Sequence, residues 1–290
     1  MSETKSKVAG TLIKPTSKLL IISAGAGSVT EDVESKLRAR FPDFRVVAFD
    51  PRHDFRKQIT PRARVVVAGG DGTIGFVARA LAGSGRTLGV LSLGTFNNFA
   101  RGLGMPEDLD QAIAVIRARK SRRVTLGRAN GEPFLEAAAI GMFGKAIALG
   151  DDAKAHDFGD LGKDLSAVVG ARPFEYTITG DLDGNGRALS LVFANTPSIG
   201  ARMAVGEKKP RDPFLEVSVH VGASRSDIVG RVLASALLDK HVDDKGMVLK
   251  FQSLVIETKP RVDIYADNIK VGRTPLTVSA DRYALRVFVP

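Results

Sequence analysis

The chain contains no cysteine among its 290 residues. That excludes disulfide staples, zinc–thiolate centres and thiol nucleophiles. It also lacks any long apolar run. The first hydrophobic cluster, Leu19-Leu20-Ile21-Ile22, is far shorter than the roughly 20 residues a membrane-crossing helix needs. Residues 1–18 are polar with several lysines, unlike a secretory leader. The expectation is a frayed polar terminus on a cytoplasmic protein that meets a membrane, if at all, peripherally from the aqueous side. The four histidines, His53, His156, His220 and His241, have no metal-ligand spacing. There is no fixed-period repeat and no low-complexity tract. Neither a Gly-Lys-Ser/Thr phosphate loop nor a Gly-x-Ser-x-Gly elbow occurs, so the enzyme classes built on those motifs fall away.

What is present is ordinary globular material, 44% hydrophobic and 26% charged. The length suits one large domain or two modest ones. Lys plus Arg exceed Asp plus Glu, 42 against 32. Such a surface favours anionic partners, whether nucleotides, acidic lipid headgroups or nucleic acid.

Short apolar runs alternate with amphipathic stretches in the first part of the chain. Lys18–Ser23, Phe44–Phe49, Arg64–Ala68 and Leu88–Leu93 read as strands. Ser28 and Glu31 have capping-box spacing ahead of a helix that carries Val33, Leu37 and Phe41 on one face. Ile74, Val77, Ala78 and Leu81 mark a second helix. Pro106-Glu107-Asp108 opens a third, with Leu109, Ala112, Ile113 and Ile116 inward and a basic last turn. This alternation implies an α/β layered domain over 17–123 with a mainly parallel sheet.

From about residue 124 the pattern turns β-rich. Phe214–Val221 alternates, with Leu215, Val217, Val219 and Val221 on one face. Met247–Glu257, Val262–Ala266, Leu276–Val278 and Leu285–Val289 read as further strands, interrupted by a helix at Ser226–Leu238. The expectation is a second, β-rich domain over 124–290. Asp181-Leu182-Asp183-Gly184-Asn185-Gly186 opens like a calcium loop, but Val192 stands where the twelfth-position Glu belongs, so a hairpin turn is expected. The basic run Ile116–Arg123 reads as a helix end with solvated cations. An anionic lipid contact is its functional alternative, and the scarcity of nearby aromatics argues against nucleic acid.

Two loops carry the chemistry. In the first, the strand ending at Ala68 runs into Gly69-Gly70-Asp71-Gly72-Thr73, and a helix follows. Glycines let main-chain N–H groups approach a phosphate closely, and a helix start adds partial positive charge. Asp71, the loop's only acid, can orient Mg²⁺ or take a proton from an attacking hydroxyl. The second loop, Gly94-Thr95-Phe96-Asn97-Asn98-Phe99-Ala100-Arg101, follows the next strand and offers hydroxyl and amide groups. Crevices at the carboxyl ends of such strands are where open α/β sheets bind ligands.

The first loop resembles the Gly-Gly-Asp-Gly-Thr motif shared by diacylglycerol kinases, sphingosine kinases and NAD kinases. The segment Ser92–Gly104 is similar to the corresponding stretch of the lipid-kinase branch. Val124–Arg128, Phe134–Gly141, Gly272–Leu276 and Ala284–Pro290 extend the likeness across most of the chain. The resemblance implies ATP with Mg²⁺ and transfer of the γ-phosphoryl group to a lipid hydroxyl. It implies an α/β nucleotide-binding domain over 17–123 and a sandwich-like domain over 124–290 that contributes the acceptor site and returns its last strand to the first, with the cleft between them and Gly69, Gly70, Asp71, Gly72, Thr73, Gly94, Thr95, Asn97 and Asn98 on the nucleotide. It also implies a lipid acceptor at a membrane surface, no nucleic acid partner, and leaves room for a homodimer.

Departures from that pattern are informative. The first strand ends in Ser23–Ser28 rather than an Asn-Pro-x-Ser-Gly loop. Where the lipid kinases carry Asp-Gly-Glu, this chain has Asp267-Asn268-Ile269, leaving Asp267 as the candidate base beside Asp71. Where they carry a structural Mg²⁺ segment, Arg211-Asp212-Pro213-Phe214-Leu215 keeps one acid, so Asp212 is the metal candidate, with a turn residue as the alternative. Two further readings remain: a catalytically weak nucleotide- or lipid-binding member of the same fold, and an NAD kinase. The absence of an Asn-Glu pair after the first loop weighs against the latter.

Overall fold

The computed structural model describes residues 14–23, 29–144, 172–199, 203–220 and 248–290. The elements of the first part are β1 (Thr16–Ile22), α1 (Glu31–Arg40), β2 (Arg45–Ala48), β3 (Ile59–Gly69), α2 (Asp71–Leu81), β4 (Thr87–Ser92), α3 (Asn98–Leu103), α4 (Leu109–Ala118), β5 (Ser121–Ala129), β6 (Glu132–Phe134) and β7 (Ala137–Gly141). Then follow β8 (Phe174–Gly180), β9 (Gly184–Ala188), β10 (Ser190–Ala194), β11 (Ser198–Ile199), β12 (Met203–Ala204), β13 (Leu215–His220), β14 (Val248–Phe251), β15 (Ser253–Lys259), β16 (Asp263–Ala266), β17 (Ile269–Arg273) and β18 (Leu276–Phe288).

The expected α/β arrangement is present. β2, β1, β3 and β4 lie parallel, with Leu20 opposite Val46 on one side and Val66 on the other. Leu19, Leu20 and Val65–Ala68 are fully buried, as strands covered on both faces must be. The helices are fixed at their starts by side chains. Thr30 caps α1 by accepting from the Val33 amide, and Asp108 caps α4 by accepting from the Gln111 amide. The cap of α1 is therefore Thr30 rather than Ser28, which lies outside the described residues.

The β-rich part forms an antiparallel sheet in the order β14-β13-β10-β7-β16-β17. β18 joins the two parts. Its last residues pair in parallel with β4, Arg286 opposite Thr87, while its first residues pair antiparallel with β15, and β5 runs along its other edge. Leu285 and Val287 enter the core under the parallel strands; Leu276 and Val278 enter the core of the β-rich part. Residues 123 and 124, where the sequence suggests a change of domain, are neighbours within β5.

Several local expectations shift. Leu276–Val278 and Leu285–Val289 belong to one strand, whose register with β5 breaks between Asp281 and Leu285 at the left-handed Tyr283. The basic run does not continue the helix. α4 stops at Ala118 with Arg119 left-handed, and Ser121–Arg123 are already paired in β5. The alternation of β13 does not mark a wet face. Glu216, Ser218 and His220 are buried like Leu215 and Val217, because β13 is an inner strand whose acid caps main-chain amides of the preceding turn. Residues 181–183 form the hairpin turn between β8 and β9. The expected helix Ser226–Leu238, with His156 and His241, lies outside the described residues. Among the described residues, no helix is long and apolar enough to cross a membrane.

Because β18 supplies both cores, the two parts should unfold together. Leu285→Ala is expected to lower the unfolding free energy by about 2–5 kcal/mol, in a single urea transition. Separation into two transitions would refute this coupling.

Candidate functional site

β3 and β4 end side by side, Gly69 opposite Ser92, and the Leu93 amide donates to the Gly69 carbonyl at 2.8 Å. The two polar loops therefore leave the sheet together. They then touch through glycine. A Cβ on Gly94 would sit 2.8 Å from the Gly70 Cα and 3.0 Å from Asn97 Oδ1. No other residue permits that approach without moving one loop.

α2 begins inside the first loop, at Asp71, with Gly70 as a cap that offers no side-chain acceptor. The amides of its first turn have no carbonyl within the helix. They lie at the carboxyl end of β3, where an anion gains from both the donors and the helix dipole. Asp71 binds the second loop: its Oδ2 accepts from the Asn97 amide at 2.8 Å. Asn97 is left-handed and folds back on its own loop, Oδ1 accepting from the Gly94 amide and Nδ2 donating to the Gly94 carbonyl. Gly72 and Thr95 remain exposed at the tips.

Asn98 reaches in the other direction. Its side chain donates to Glu136 Oε2 at 3.0 Å and accepts from Ser198 Oγ at 2.9 Å. The second loop is thereby tied to the β-rich part. Glu136 is itself fixed by its backbone, whose amide donates to Asp267 and whose carbonyl accepts from the Asn195 amide.

Asp267 occupies the left-handed position of the turn between β16 and β17. Its Oδ1 accepts from the amides of Leu135 and Glu136, and its Oδ2 from Leu135 and from Arg79 Nη1 at 2.9 Å. The ion pair with Arg79 of α2 is largely buried, 15% and 13% exposed. The Arg79 guanidinium crosses the face of Gly75, where a Cβ would meet Nη1 at 3.2 Å. Ile269, two residues on, is 45% exposed.

Asp212 stands apart from these loops. It closes a turn, accepting from the Lys209 amide and donating its own amide to the Lys209 carbonyl. The cationic group there is a side chain. Lys208, 1% exposed, donates from Nζ to Asn195 Oδ1 at 2.6 Å and to the carbonyls of Asn195 and Lys209. A divalent ion does not fit beside an ammonium already set among those oxygens, and among the described residues no cluster of three His, Asp or Glu could hold a metal. Burial pushes the Lys208 ammonium down to about 7, against the opposing pull of Asp212 and Glu216.

The structure thus brings together Gly69–Thr73, Gly94, Thr95, Asn97 and Asn98, and brings Asp267 to the same cleft through Arg79 and Glu136. Sequence reasoning missed Glu136, Arg79, Asn195 and Lys208. Glu136 had a legible signal, being the lone charge in the apolar run Phe134–Ile140, and Arg79 follows a helical glycine by one turn.

Residues 17–129 match the family model described as the diacylglycerol kinase catalytic domain. A Pseudomonas aeruginosa protein named "Probable lipid kinase YegS-like" is 27% identical over 94% of each chain. A Bacillus subtilis diacylglycerol kinase is 26% identical over 73% of this chain and 72% of its own. An uncharacterized Synechocystis protein is 25% identical over 78% of this chain, which spans about half of it, 54%. Among solved structures, a diacylglycerol kinase from Bacillus anthracis superposes with a TM-score of 0.71 at 22% identity, covering 97% of this chain and 98% of that one. An NAD kinase from Archaeoglobus fulgidus in complex with ATP gives 0.53 at 10% identity, with 93% of each chain covered. Both likenesses are of fold.

Lys208 gives a pH signature. Between about 7 and the ordinary lysine value of 10.5 the unfolded chain holds more protons at this position than the folded one. Stability from this group is therefore complete above that window and is lost as pH falls through about 7. Lys208→Met is expected to flatten the rise of unfolding free energy across this range in urea titrations. An unchanged slope would contradict it.

Proposed function

We propose that the chain transfers the γ-phosphoryl group of ATP to the hydroxyl of a lipid at a membrane surface, a reading supported by the match of residues 17–129 to the diacylglycerol kinase catalytic domain. The observation that carries the reading is the Gly70–Gly94 contact. It holds the two loops side by side at the ends of two parallel strands, next to the first-turn amides of α2, an arrangement suited to a phosphate chain. Gly69–Thr73 would meet the phosphates. Gly94, Thr95 and Asn97 would complete the nucleotide's surroundings. Asp71 keeps the two loops in register through the Asn97 amide. Mg²⁺ bound with the nucleotide would neutralise phosphate charge.

The acceptor would approach from the β-rich part. Two carboxylates belong to that side of the cleft, Glu136 and Asp267. Asp267 must release Arg79 or a main-chain amide before it can take a proton. We therefore assign it to positioning, and assign proton acceptance from the lipid hydroxyl to Glu136, which Asn98 directs toward the second loop. A positioned base is worth ~10²–10⁴-fold in rate.

A second reading, a nucleotide-binding member with weak turnover, is favoured by Ile269 in place of an acid and by the engagement of both Asp267 oxygens. The NAD kinase reading has the shared fold behind it, but the Asn97–Arg101 segment follows the lipid-kinase pattern.

Purified protein with labelled ATP, Mg²⁺ and a panel of diacylglycerol-like lipids should yield labelled lipid. Glu136→Gln should lower the rate by about 10²-fold or more with ATP binding retained, and Asp71→Asn should lower it by loosening the hold on the Asn97 amide. No transfer above the Asp71→Asn background on any lipid removes the kinase proposal, and ATP binding without transfer leaves the second reading. Ile269→Glu should then raise activity.

A further inference from the structure

Three arginines, Arg122, Arg123 and Arg211, line one surface pocket at the far end of the parallel strands, and a fourth, Arg286, is the strand partner of one of them. Arg122 and Arg123 open β5, Arg286 lies near the end of β18, and Arg211 stands in the turn before β13. The sheet register places Arg123 directly opposite Arg286. Directly opposed residues of an antiparallel pair share a face with Cβ atoms about 5 Å apart, and like charges there repel. The register cannot relieve this by slipping one residue, because Val124 and Leu285 form the next pair and both are buried.

None of the four is ion-paired to a carboxylate among the described residues. Arg211 donates to the Leu103 carbonyl at 3.1 Å and Arg123 makes a long contact with the Tyr283 carbonyl at 3.5 Å. Acids are not scarce nearby: Arg128 holds Asp281 and Arg101 holds Glu107. Ser121, Arg122, Arg123, Arg211 and Tyr283 line a cavity of about 480 Å³. Tyr283 stands at its rim, 46% exposed, in the left-handed conformation that breaks β18. Arginine forks match phosphate oxygens in pairs, and a phenol at the rim of a basic site suits a headgroup boundary, apolar on one side and wet on the other.

We propose that this cavity binds a phosphate-bearing anion, either the phosphodiester headgroup of an acidic lipid or free phosphate, at a site separate from the glycine loops. Arg286 is level with Thr87, the first residue of β4, whereas the loops leave after Ser92, its last. Five residues of strand put the two sites ~17 Å apart along the sheet. The site needs no turnover to act, so it stands or falls apart from the kinase reading.

The test is co-sedimentation of the whole chain with phosphatidylcholine vesicles, alone or mixed with phosphatidylglycerol, alongside thermal unfolding with inorganic phosphate. Wild type should bind only the mixed vesicles or be stabilised by phosphate; the first result names a lipid source, the second a free anion. Arg123→Gln/Arg211→Gln should weaken the effect roughly thirtyfold, while Arg38→Gln/Arg52→Gln, equal in charge but remote, should not. Arg123→Gln alone should raise the melting temperature in anion-free buffer, since it removes the opposed charge, which also establishes that the variant folds. Equal losses in both double variants, or no anion response in wild type, would overturn the proposal.

Discussion

A carboxylate that answers an arginine and two main-chain amides at once has very little freedom, and Asp267 is held in that way. Three parts of the chain meet on it: α2, which begins in the glycine loop; the Leu135–Glu136 corner; and the turn between β16 and β17. Breaking a mostly buried pair of this kind leaves an uncompensated charge, which is costly. The cleft is consequently built around a fixed point rather than around two independently placed walls. Glu136 inherits its position from that point, and Asn98 inherits its orientation from Glu136.

The same economy recurs at Lys208. A buried ammonium shared among three oxygens joins the 205–212 turn to Asn195, whose amide in turn donates to the carbonyls of Thr125 and Leu135. The corner that carries Glu136 is thus braced from behind by a side chain, where the sequence resemblance had suggested a metal. A tethered cation cannot be chelated away, and its strength varies with proton concentration rather than with metal supply.

The α/β layering and both loops were legible because they are local: strand periodicity, helix caps and glycine spacing are written in consecutive residues. What was not legible depends on pairing across the chain. Glu216, Ser218 and His220 are buried although they alternate with apolar residues, because β13 is an inner strand. The cations of residues 121–123 belong to a strand because β18 returns to meet them. Arg79 and Asp267 are 188 residues apart, and no local pattern relates them. Glu136 was visible as an isolated charge, but its meaning needed Asn98 beside it.

Gly75 and Arg79 have a consequence for how the cleft responds to substitution. The guanidinium lies where a side chain at position 75 would go, with only 3.2 Å to a Cβ. A side chain at 75 would press on the guanidinium and oblige it to shift by a few tenths of an ångström, so substitutions at 75 are felt at the α2–Asp267 ion pair before they are felt in the helix itself.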